Sequence, residues 1–390
     1  MKREMIRLGA IVMLLAIGSC GTIDGQEQNE NEEESQNQTE NPSQEENQDI
    51  MGLRFIDEYI YPNATVFENT KVGGLSGIDY ANNTWYMISD DKIAPHFYTA
   101  NIALTQHGFT SVTITAVTNF KGADGATLKE GLADPESIRY ANGNVVWTSE
   151  GNIDKELAPF VRTAALDGTF ISEAILPERY KPNAAANFGP RNNGVFEGLS
   201  VSYNGEGYWV SMELPLKEDG IAPTLEETNS QVRIAYINKT TNAFEKEIAY
   251  ELEPVALPAL FGTTFELNGV VEVLAYADNK FLVLERSFST GYVDGGNTVR
   301  IYDVDATNAT DVSGIESLKG GEYTKATKKL LLDFETVRSQ LTDAKIDNIE
   351  GITFGPVLEN GNRSLVLIAD DNFSAYQPQI NQFILLEVLN

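Results

Sequence analysis

The sequence predicts an all-β protein, a β-propeller for which five four-stranded blades are favoured. Beyond residue 50 the chain consists of short apolar or alternating runs rich in Val, Ile, Tyr, Phe and Thr, separated by clusters of Asn, Gly and Asp. Such runs are typical of strands joined by turns. A two-strand motif recurs five times, and two further strand-like runs follow each copy except the last. Each repeat therefore predicts four strands, and four-stranded sheets arranged radially form a propeller.

Each copy of the motif predicts a hairpin that starts beside an acid, or at Ser76 in the first copy, and ends on another acid. The hairpin loops contain pairs such as Asn142-Gly143, which favour tight turns. The five copies are residues 74–79 with 85–90, 135–138 with 145–150, 196–201 with 208–213, 271–274 with 281–285, and 349–353 with 365–370.

The two ends of the predicted ring complement each other. Residues 382–388 form the third strand of the last repeat, and an unassigned strand at residues 53–61 precedes the first repeat. We expect the N-terminal strand to complete the C-terminal blade, because this closure removes exposed sheet edges. The uneven spacing of the copies also leaves room for a sixth blade.

The N-terminus predicts export and lipid anchoring. Basic residues precede the apolar run 8–17, which is too short to span a membrane, and small residues follow it. Ile17-Gly18-Ser19-Cys20 resembles the bacterial lipobox, in which the cysteine is acylated; a buried structural Cys20 is the alternative. Residues 21–50 contain ten acids and no lysine or arginine, which favours a disordered tether. The predicted organisation is a signal peptide at 1–20, a tether at 21–50 and a propeller domain at 51–390.

Composition excludes several functional classes. The chain has 57 acidic against 28 basic residues and a net charge of -29, so nucleic acid is not an expected partner. It has two histidines and one cysteine, which argues against zinc clusters and a disulfide framework. No G-x-S-x-G motif supports a serine hydrolase. Membrane contact is expected through the lipid anchor only, in a bacterial cell envelope.

The repeat predicts a ring of acids around one end of the central channel. The first strand of each propeller blade lines the channel, and a hairpin returns the chain to the same face. Crowded carboxylates raise one another's pKa unless a cation or a base neutralises them, and hard oxygen ligands favour Ca²⁺. The alternative is that each glutamate only caps a strand or accepts backbone N–H bonds. The expected ring comprises Glu136, Glu150, Glu197, Glu213, Glu272, Glu285, Glu350 and Asp370, with Asp90 and Asp91 beside Ser76.

Four motifs in the last third resemble a known family. Residues 284–288, 328–333, 347–353 and 368–373, in this order, are similar to the esterase-like, phytase-like family of secreted β-propellers, and the resemblance spans roughly residues 70–388. It implies a secreted or periplasmic propeller that hydrolyses esters or phosphoesters, with Ca²⁺ as its cofactor. Ser76 departs from the pattern of the other copies. The residues that match the family by position are Glu285, Arg286, Glu350, Asp370, Asp371 and Asn372, and Glu272 is added from the internal repeat.

A metal-assisted hydrolase needs carboxylates to hold the cation, a bound water that the cation makes more acidic, and a positively charged basic group that neutralises the developing oxyanion. We predict Asp370 or Asp371 as a ligand or general base, and Arg286 as an anion clamp because its planar fork suits phosphate and carboxylate. The alternative for Arg286 is that it only neutralises neighbouring acids. His96 follows Asp90-Asp91 and could reach the same face, and the alternative is a solvated loop residue. The predicted metal ligands are Glu136, Glu197, Glu272, Glu285 and Glu350.

The expected function is therefore Ca²⁺-dependent hydrolysis of a small-molecule ester or phosphoester outside the cytoplasm. The alternative is a non-catalytic propeller that binds a ligand or protein on its acidic face. The tryptophans Trp85, Trp147 and Trp209 recur at the same place in the second strand of three copies, which favours packing between blades over a sugar-binding platform.

Overall fold

The computed structural model describes residues 49–183, 187–261, 265–374 and 378–390. The predicted signal peptide, Cys20 and the tether as far as residue 48 lie outside the described residues. Ile50, the last residue of the predicted tether, is buried in an apolar core cluster. None of the helices in the described residues is long and apolar enough to cross a membrane.

Five four-stranded antiparallel sheets form the blades, which confirms the predicted all-β, five-bladed propeller. The strands are β1 (Gly52–Tyr61), β2 (Val66–Phe67), β3 (Thr70–Lys71), β4 (Leu75–Ala81), β5 (Thr84–Ser89), β6 (His96–Thr105), β7 (Gly108–Asn119), β8 (Pro135–Ala141), β9 (Asn144–Ser149), β10 (Phe160–Ala165), β11 (Phe170–Glu173), β12 (Phe196–Val201), β13 (Gly207–Met212), β14 (Gln231–Asn238), β15 (Phe244–Glu251), β16 (Glu266–Ala277), β17 (Lys280–Ser289), β18 (Asn297–Asp305), β19 (Thr327–Asp333), β20 (Ile349–Val357), β21 (Arg363–Ala369) and β22 (Asn381–Leu389). Strands β4–β7 form blade 1, β8–β11 blade 2, β12–β15 blade 3 and β16–β19 blade 4. Strands β20–β22 and β1 form blade 5, and β2 pairs with β3 in a separate hairpin.

The N-terminal strand closes the ring as the sequence predicts. Strand β1 pairs antiparallel with β22, from Gly52 opposite Leu389 to Tyr61 opposite Asn381. Blade 5 is therefore built from both ends of the folded chain, and its outermost strand is the first one in the sequence.

Short asparagine and glycine loops set the first hairpin of blades 1 and 2. Asn82 and Asn83 have φ angles of 51° and 59°, and Asn142 and Gly143 have φ angles of 50° and 83°. Two consecutive residues with positive φ are what a two-residue hairpin turn with the right twist requires. These turns lie at the end of the channel away from the acids.

The apolar core lies between neighbouring blades. Trp147 stacks on Phe120 with ring centroids 4.0 Å apart, and Trp209 of blade 3 meets Phe281 of blade 4 at 5.1 Å. The expectation that the three tryptophans occupy one equivalent place is wrong. Their partners on the first strand differ: Trp147 pairs with Ile138, Trp209 with Ser200 and Trp85 with Tyr80. Counted back from the acid that ends each hairpin, Trp147 is the third residue, Trp209 the fourth and Trp85 the fifth.

Glycine lines the channel wall where inner strands approach each other. A Cβ atom on Gly77 of blade 1 would lie 2.8 Å from the carbonyl oxygen of Glu136 in blade 2. A Cβ on Gly351 of blade 5 would lie 3.1 Å from the Cα of Gly77. The inner strands can pack this closely only without side chains at these points, and this packing brings the neighbouring acids together.

Candidate functional site

Every inner strand carries a pairing irregularity at the same height of the channel, and these irregularities define a ring of side chains that we call the rim. A bulge of this kind adds a residue and re-aims its side chain. The shifts fall between Leu75 and Gly77, Pro135 and Ile138, Phe196 and Leu199, Val270 and Glu272, and Ile349 and Gly351. The first rim position, in the bulge, holds Ser76, Glu136, Glu197, Val271 and Glu350 in blades 1 to 5. The second rim position, at the corresponding point of the second strand, holds Asp90, Glu150, Glu213, Arg286 and Asp370.

The rim acids of blades 2 and 3 form two overlapping groups, each close enough to hold one ion. Carboxylate oxygens of Asp134, Glu136 and Glu150 all lie within 4.8 Å of one another, and so do those of Glu150, Glu197 and Glu213. Asp134 comes from the connection that leads into β8, two residues before Glu136, and we count it with the rim. Glu150 belongs to both groups, so the two groups form one continuous acidic surface.

Burial and mutual repulsion raise the pKa of these carboxyls. Burial, with Glu213 and Asp134 nearby, raises the pKa of Glu150 to about 8. Burial also raises the pKa of Glu213 to about 7, although Arg286 lowers it in part. The pKa values of Glu136 and Glu197 lie well above their usual range because both are buried among other acids. The rim therefore retains protons at neutral pH unless a cation replaces them.

Several rim oxygens have no hydrogen-bond partner among the described residues. These are Asp90 Oδ1, Asp134 Oδ1 and Glu213 Oε2. Asp134 is 5% exposed and Glu213 is 1% exposed, and a buried oxygen without a donor is destabilising. An array of hard, unpartnered carboxylate oxygens is a donor set that suits Ca²⁺.

Two basic side chains reach the rim from opposite sides. Arg286 replaces the acid at the second rim position of blade 4, and its Nη2 lies 3.0 Å from Glu350 and 3.7 Å from Glu213. Its Nε has no partner among the described residues. On the other side, Lys92 follows Asp90 and Asp91 in blade 1, and its Nζ lies 2.6 Å from Asp134 Oδ2.

A buried ion pair closes the channel below the rim. Arg139 Nη2 lies 2.9 Å from Glu272 Oε2, and the two side chains are 2% and 0% exposed. Arg139 also donates to the carbonyls of Ile78 in blade 1 and Ile352 in blade 5. Glu272 accepts from Ser137 Oγ in blade 2 and from the amide of Leu199 in blade 3. The pair contacts all five blades and occupies the channel below the rim.

A family model described as phytase-like, "esterase-like activity of phytase", matches residues 70–373. The chain belongs to the phytase-like family. Family membership suggests that the protein is a hydrolase. A search of the curated proteins found no match.

Solved structures with similarity to this phytase-like protein include several glycosidases. A GH43 β-1,3-galactosidase with galactodeoxynojirimycin has 11% identity and a TM-score of 0.42, covering 85% of this chain and 95% of its own. An exo-β-1,3-galactanase from Phanerochaete chrysosporium has 10% identity and a TM-score of 0.40, covering 84% and 64%. A GH43 endo-arabinanase from Bacillus licheniformis has 12% identity and a TM-score of 0.38, covering 84% and 96%.

Two predicted metal ligands of the phytase-like protein, Glu272 and Glu285, lie away from the rim. The sequence analysis aligned the repeats by their acids, and in the fourth repeat this alignment is wrong by one residue. In blade 4 the rim positions hold Val271 and Arg286 rather than Glu272 and Glu285. The oxygens of Glu272 already accept from Arg139 and from its other partners inside the channel. A shift of one residue turns a strand side chain to the opposite face.

Glu285 lies in a cluster between blades 3 and 4. It accepts hydrogen bonds from Tyr250 Oη at 2.5 Å, Asn268 Nδ2 at 2.8 Å and Lys328 Nζ at 2.9 Å. Its oxygens therefore help to pack one blade against the next. Neither Glu285 nor Glu272 is available as a ligand at the rim. Lys328 of β19 is therefore a partner in this cluster.

The other predicted residues divide between the rim and the surrounding loops. Glu350 is at the rim and accepts from Arg286 and Asn348. Asp370 is also at the rim, and burial with Asp90 and Glu350 nearby raises its pKa well above the usual range. Asp371 is turned aside, because its Oδ1 accepts from the amides of Gly74 at 2.8 Å and Phe373 at 3.1 Å.

His96 and Asp91 lie in blade 1, beside the rim. His96 is 1% exposed rather than a solvated loop residue. Its Nδ1 lies 2.7 Å from the carbonyl oxygen of Ala94 and 4.0 Å from Asp91 Oδ2. Burial lowers its pKa, so the imidazole is neutral at pH 7. Its hydrogen bond is made within its own loop, to the carbonyl oxygen of Ala94.

Sequence analysis missed Asp134 and Lys92. Asp134 directly precedes the Pro135-Glu136 start of the second copy, and Lys92 directly follows Asp90-Asp91 at the end of the first hairpin. Both lie just outside the repeated motif, which is why an alignment of the repeat passes over them. Their position next to rim residues in the chain is the signal that could have found them.

Proposed function

We propose that this phytase-like protein is a Ca²⁺-dependent hydrolase of esters or phosphoesters that acts outside the cytoplasm. The observation that carries the proposal is the convergence of buried carboxylates from blades 2 and 3, with unpartnered oxygens, beside Arg286. An acidic surface alone would repel an anionic substrate, whereas a cation held by that surface attracts it.

The residues that would hold Ca²⁺ are Asp134, Glu136, Glu150, Glu197 and Glu213. When bound, the cation would polarise an ester carbonyl or phosphoryl oxygen. The protein contributes a site closed from below by the Arg139–Glu272 pair, so substrate enters from the outer side of the rim. The near-complete burial of Glu150 and Glu213 restricts the deepest part of the site to a small ion.

Two rim residues assist the attack of water on the substrate, in which the water loses a proton to solvent and the bond to the leaving oxygen breaks. Arg286 is held in place by Glu350 and Glu213, and its unpartnered Nε can donate to the oxyanion that develops on the substrate. Burial, with Asp90 and Glu350 nearby, raises the pKa of Asp370 well above its usual range, which favours the protonated form that can donate a proton to the leaving oxygen. Its Oδ1 is oriented by the amide of Asn372 at 2.7 Å.

The experiment is turnover of aryl phosphate, aryl ester and lactone panels by the protein with Ca²⁺ or with a chelator. We expect activity on at least one panel, loss of that activity on chelation, and a loss of at least a hundredfold in kcat/KM for Glu213→Gln and Arg286→Gln. Glu359→Gln is the matched control, because Glu359 is exposed in the turn between β20 and β21.

The same assay separates the two functional classes. Absence of turnover on every panel, with Ca²⁺ still bound, would favour the non-catalytic ligand-binding propeller. Turnover that survives both chelation and Glu213→Gln would contradict a cation-dependent mechanism at the rim.

We also propose that a lipid on Cys20 anchors the protein in the cell envelope. The support is the order of basic, apolar and small residues before the single cysteine, followed by an acidic stretch. Labelling with a radioactive fatty acid in a bacterial host should mark the wild type and not Cys20→Ala. Equal labelling of the two would contradict the assignment.

A further inference from the structure

Lys92 is the one ammonium group that, among the described residues, pairs with a rim acid. The loop between β5 and β6 carries it across to blade 2, where its Nζ lies 2.6 Å from Asp134 Oδ2. The amide of Gly131 donates to the Lys92 carbonyl at 2.7 Å, which holds the loop backbone in place. The backbone is therefore fixed while the side chain, 54% exposed, keeps freedom to move.

The ammonium occupies a position where a cation is needed. Asp134, together with Glu136 and Glu150, forms one of the two clusters of neighbouring carboxylates at the rim. Burial raises the pKa of Asp90, Glu150 and Glu350, and the positive charge of Lys92 offsets part of that rise in each of them. Lys92 thus supplies part of the neutralising charge that the crowded rim requires.

A divalent cation and this ammonium cannot both be held closely by Asp134. Like charges a few ångströms apart repel each other strongly where water is largely excluded. The lysine stem is flexible and half-exposed, so the ammonium can move into solvent above the rim with little disturbance of the fold. Asp134 Oδ1, which has no partner among the described residues, remains available to the incoming ion.

We propose that Lys92 is a displaceable counter-ion: it neutralises Asp134 while the site lacks a cation, and after displacement its ammonium binds the anionic group of the substrate. This inference rests on the proposed function and adds Lys92 to Arg286 as a second anion-binding residue. It places one cationic side chain on each side of the rim, Lys92 from blade 1 and Arg286 from blade 4.

The test measures Ca²⁺ affinity by calorimetry on the chelator-treated, full-length protein and its variants. We expect Lys92→Met to bind Ca²⁺ about tenfold more tightly than the wild type, because the ion no longer displaces an ammonium. Lys92→Arg should remain within about threefold of the wild type, since the charge is kept. Lys329→Met is the matched control, because it removes the same charge from an exposed position on β19.

A second titration uses inorganic phosphate with the Ca²⁺-loaded proteins. Here Lys92→Met should bind at least fivefold more weakly than the wild type, whereas Lys329→Met should not differ. The two effects have opposite signs, and simple damage to the site would weaken both ligands.

The inference is overturned if Lys92→Met binds Ca²⁺ no more tightly than the wild type, including the case in which neither binds it. It is also overturned if phosphate affinity is unchanged. Both readouts are binding measurements, so a protein that binds Ca²⁺ and phosphate as expected without hydrolysing any substrate would contradict the proposed activity and leave the role of Lys92 supported.

Discussion

Replacing Glu150 with glutamine should make the cation-free protein more stable at alkaline pH. Glu150 belongs to both carboxylate groups of the rim and is 3% exposed. Its carboxylate accepts a hydrogen bond from the amide of Val195 at 2.9 Å, which the glutamine carbonyl oxygen can also accept. The substitution therefore removes a charge from the cluster and keeps its shape and its hydrogen bond.

The size and sign of the effect follow from the raised pKa. The pKa of Glu150 rises from 4.5 to about 8 on folding, because of burial and the nearby Glu213 and Asp134. Well below pH 4.5 the carboxyl is protonated in both states and has no effect. Between pH 4.5 and 8 the unfolded state is ionised while the folded state keeps its proton, so the stability of the wild type falls through this range and levels off above pH 8. At about 1.4 kcal/mol per pKa unit, the wild type loses up to about 5 kcal/mol from this group by pH 9.

Urea unfolding in the presence of a chelator at pH 5, 7 and 9 measures this difference. We expect Glu150→Gln and the wild type to be about equally stable at pH 5, and the variant to be more stable by several kcal/mol at pH 9. Glu359→Gln, an exposed substitution, should follow the wild type throughout. A Glu150→Gln protein that is less stable than the wild type at pH 9, or shifted equally at all three pH values, would refute the reasoning.

Two further predictions concern the channel and the offset repeat. Arg139→Met should lower the free energy of unfolding in urea by about 3–5 kcal/mol, because it leaves Glu272 as an unpaired buried charge. Arg162→Met, which breaks a more exposed pair with Glu173, should lower it by less than about 1 kcal/mol. Equal losses would contradict the structural role of the buried Arg139–Glu272 pair. Glu213→Gln should weaken Ca²⁺ binding at least tenfold by calorimetry, whereas Glu272→Gln should change it by less than threefold. The reverse order would place the ion in the channel instead of the rim.

The repeat made most of the fold predictable. Hairpins with acids at their ends indicated four-stranded blades, and the strand left over at each end of the chain indicated how the ring closes. These features are written locally, as alternation of apolar residues and as Asn-Gly turns, so a single sequence shows them.

The register of blade 4 could not be predicted in the same way. In the other blades a small residue follows the first rim position, namely Gly77, Ser137, Gly198 and Gly351. Blade 4 has Glu272 at that point, so an alignment by acids places this residue one position too early. What decides the register is the contact of Glu272 with Arg139, a residue 133 positions earlier in the chain, and no local pattern records that contact.

The residues that complete the rim also come from outside the repeat. Asp134 and Lys92 lie in connections, whose lengths and sequences differ from blade to blade. Their distance of 2.6 Å depends on how two neighbouring blades pack. Sequence reasoning therefore found the acids that the repeat supplies and missed the residues that the loops add.

Proton release on Ca²⁺ binding tests most directly whether the converging carboxylates form a cation site. The measurement adds Ca²⁺ to the chelator-treated protein in unbuffered solution at pH 7 and titrates the change in pH. Because rim carboxyls such as Glu150 and Glu213 have a raised pKa and hold protons at this pH, we predict that saturating Ca²⁺ releases about one proton or more per protein, and that Glu213→Gln releases fewer. Binding without any proton release, or the absence of binding, would contradict the account.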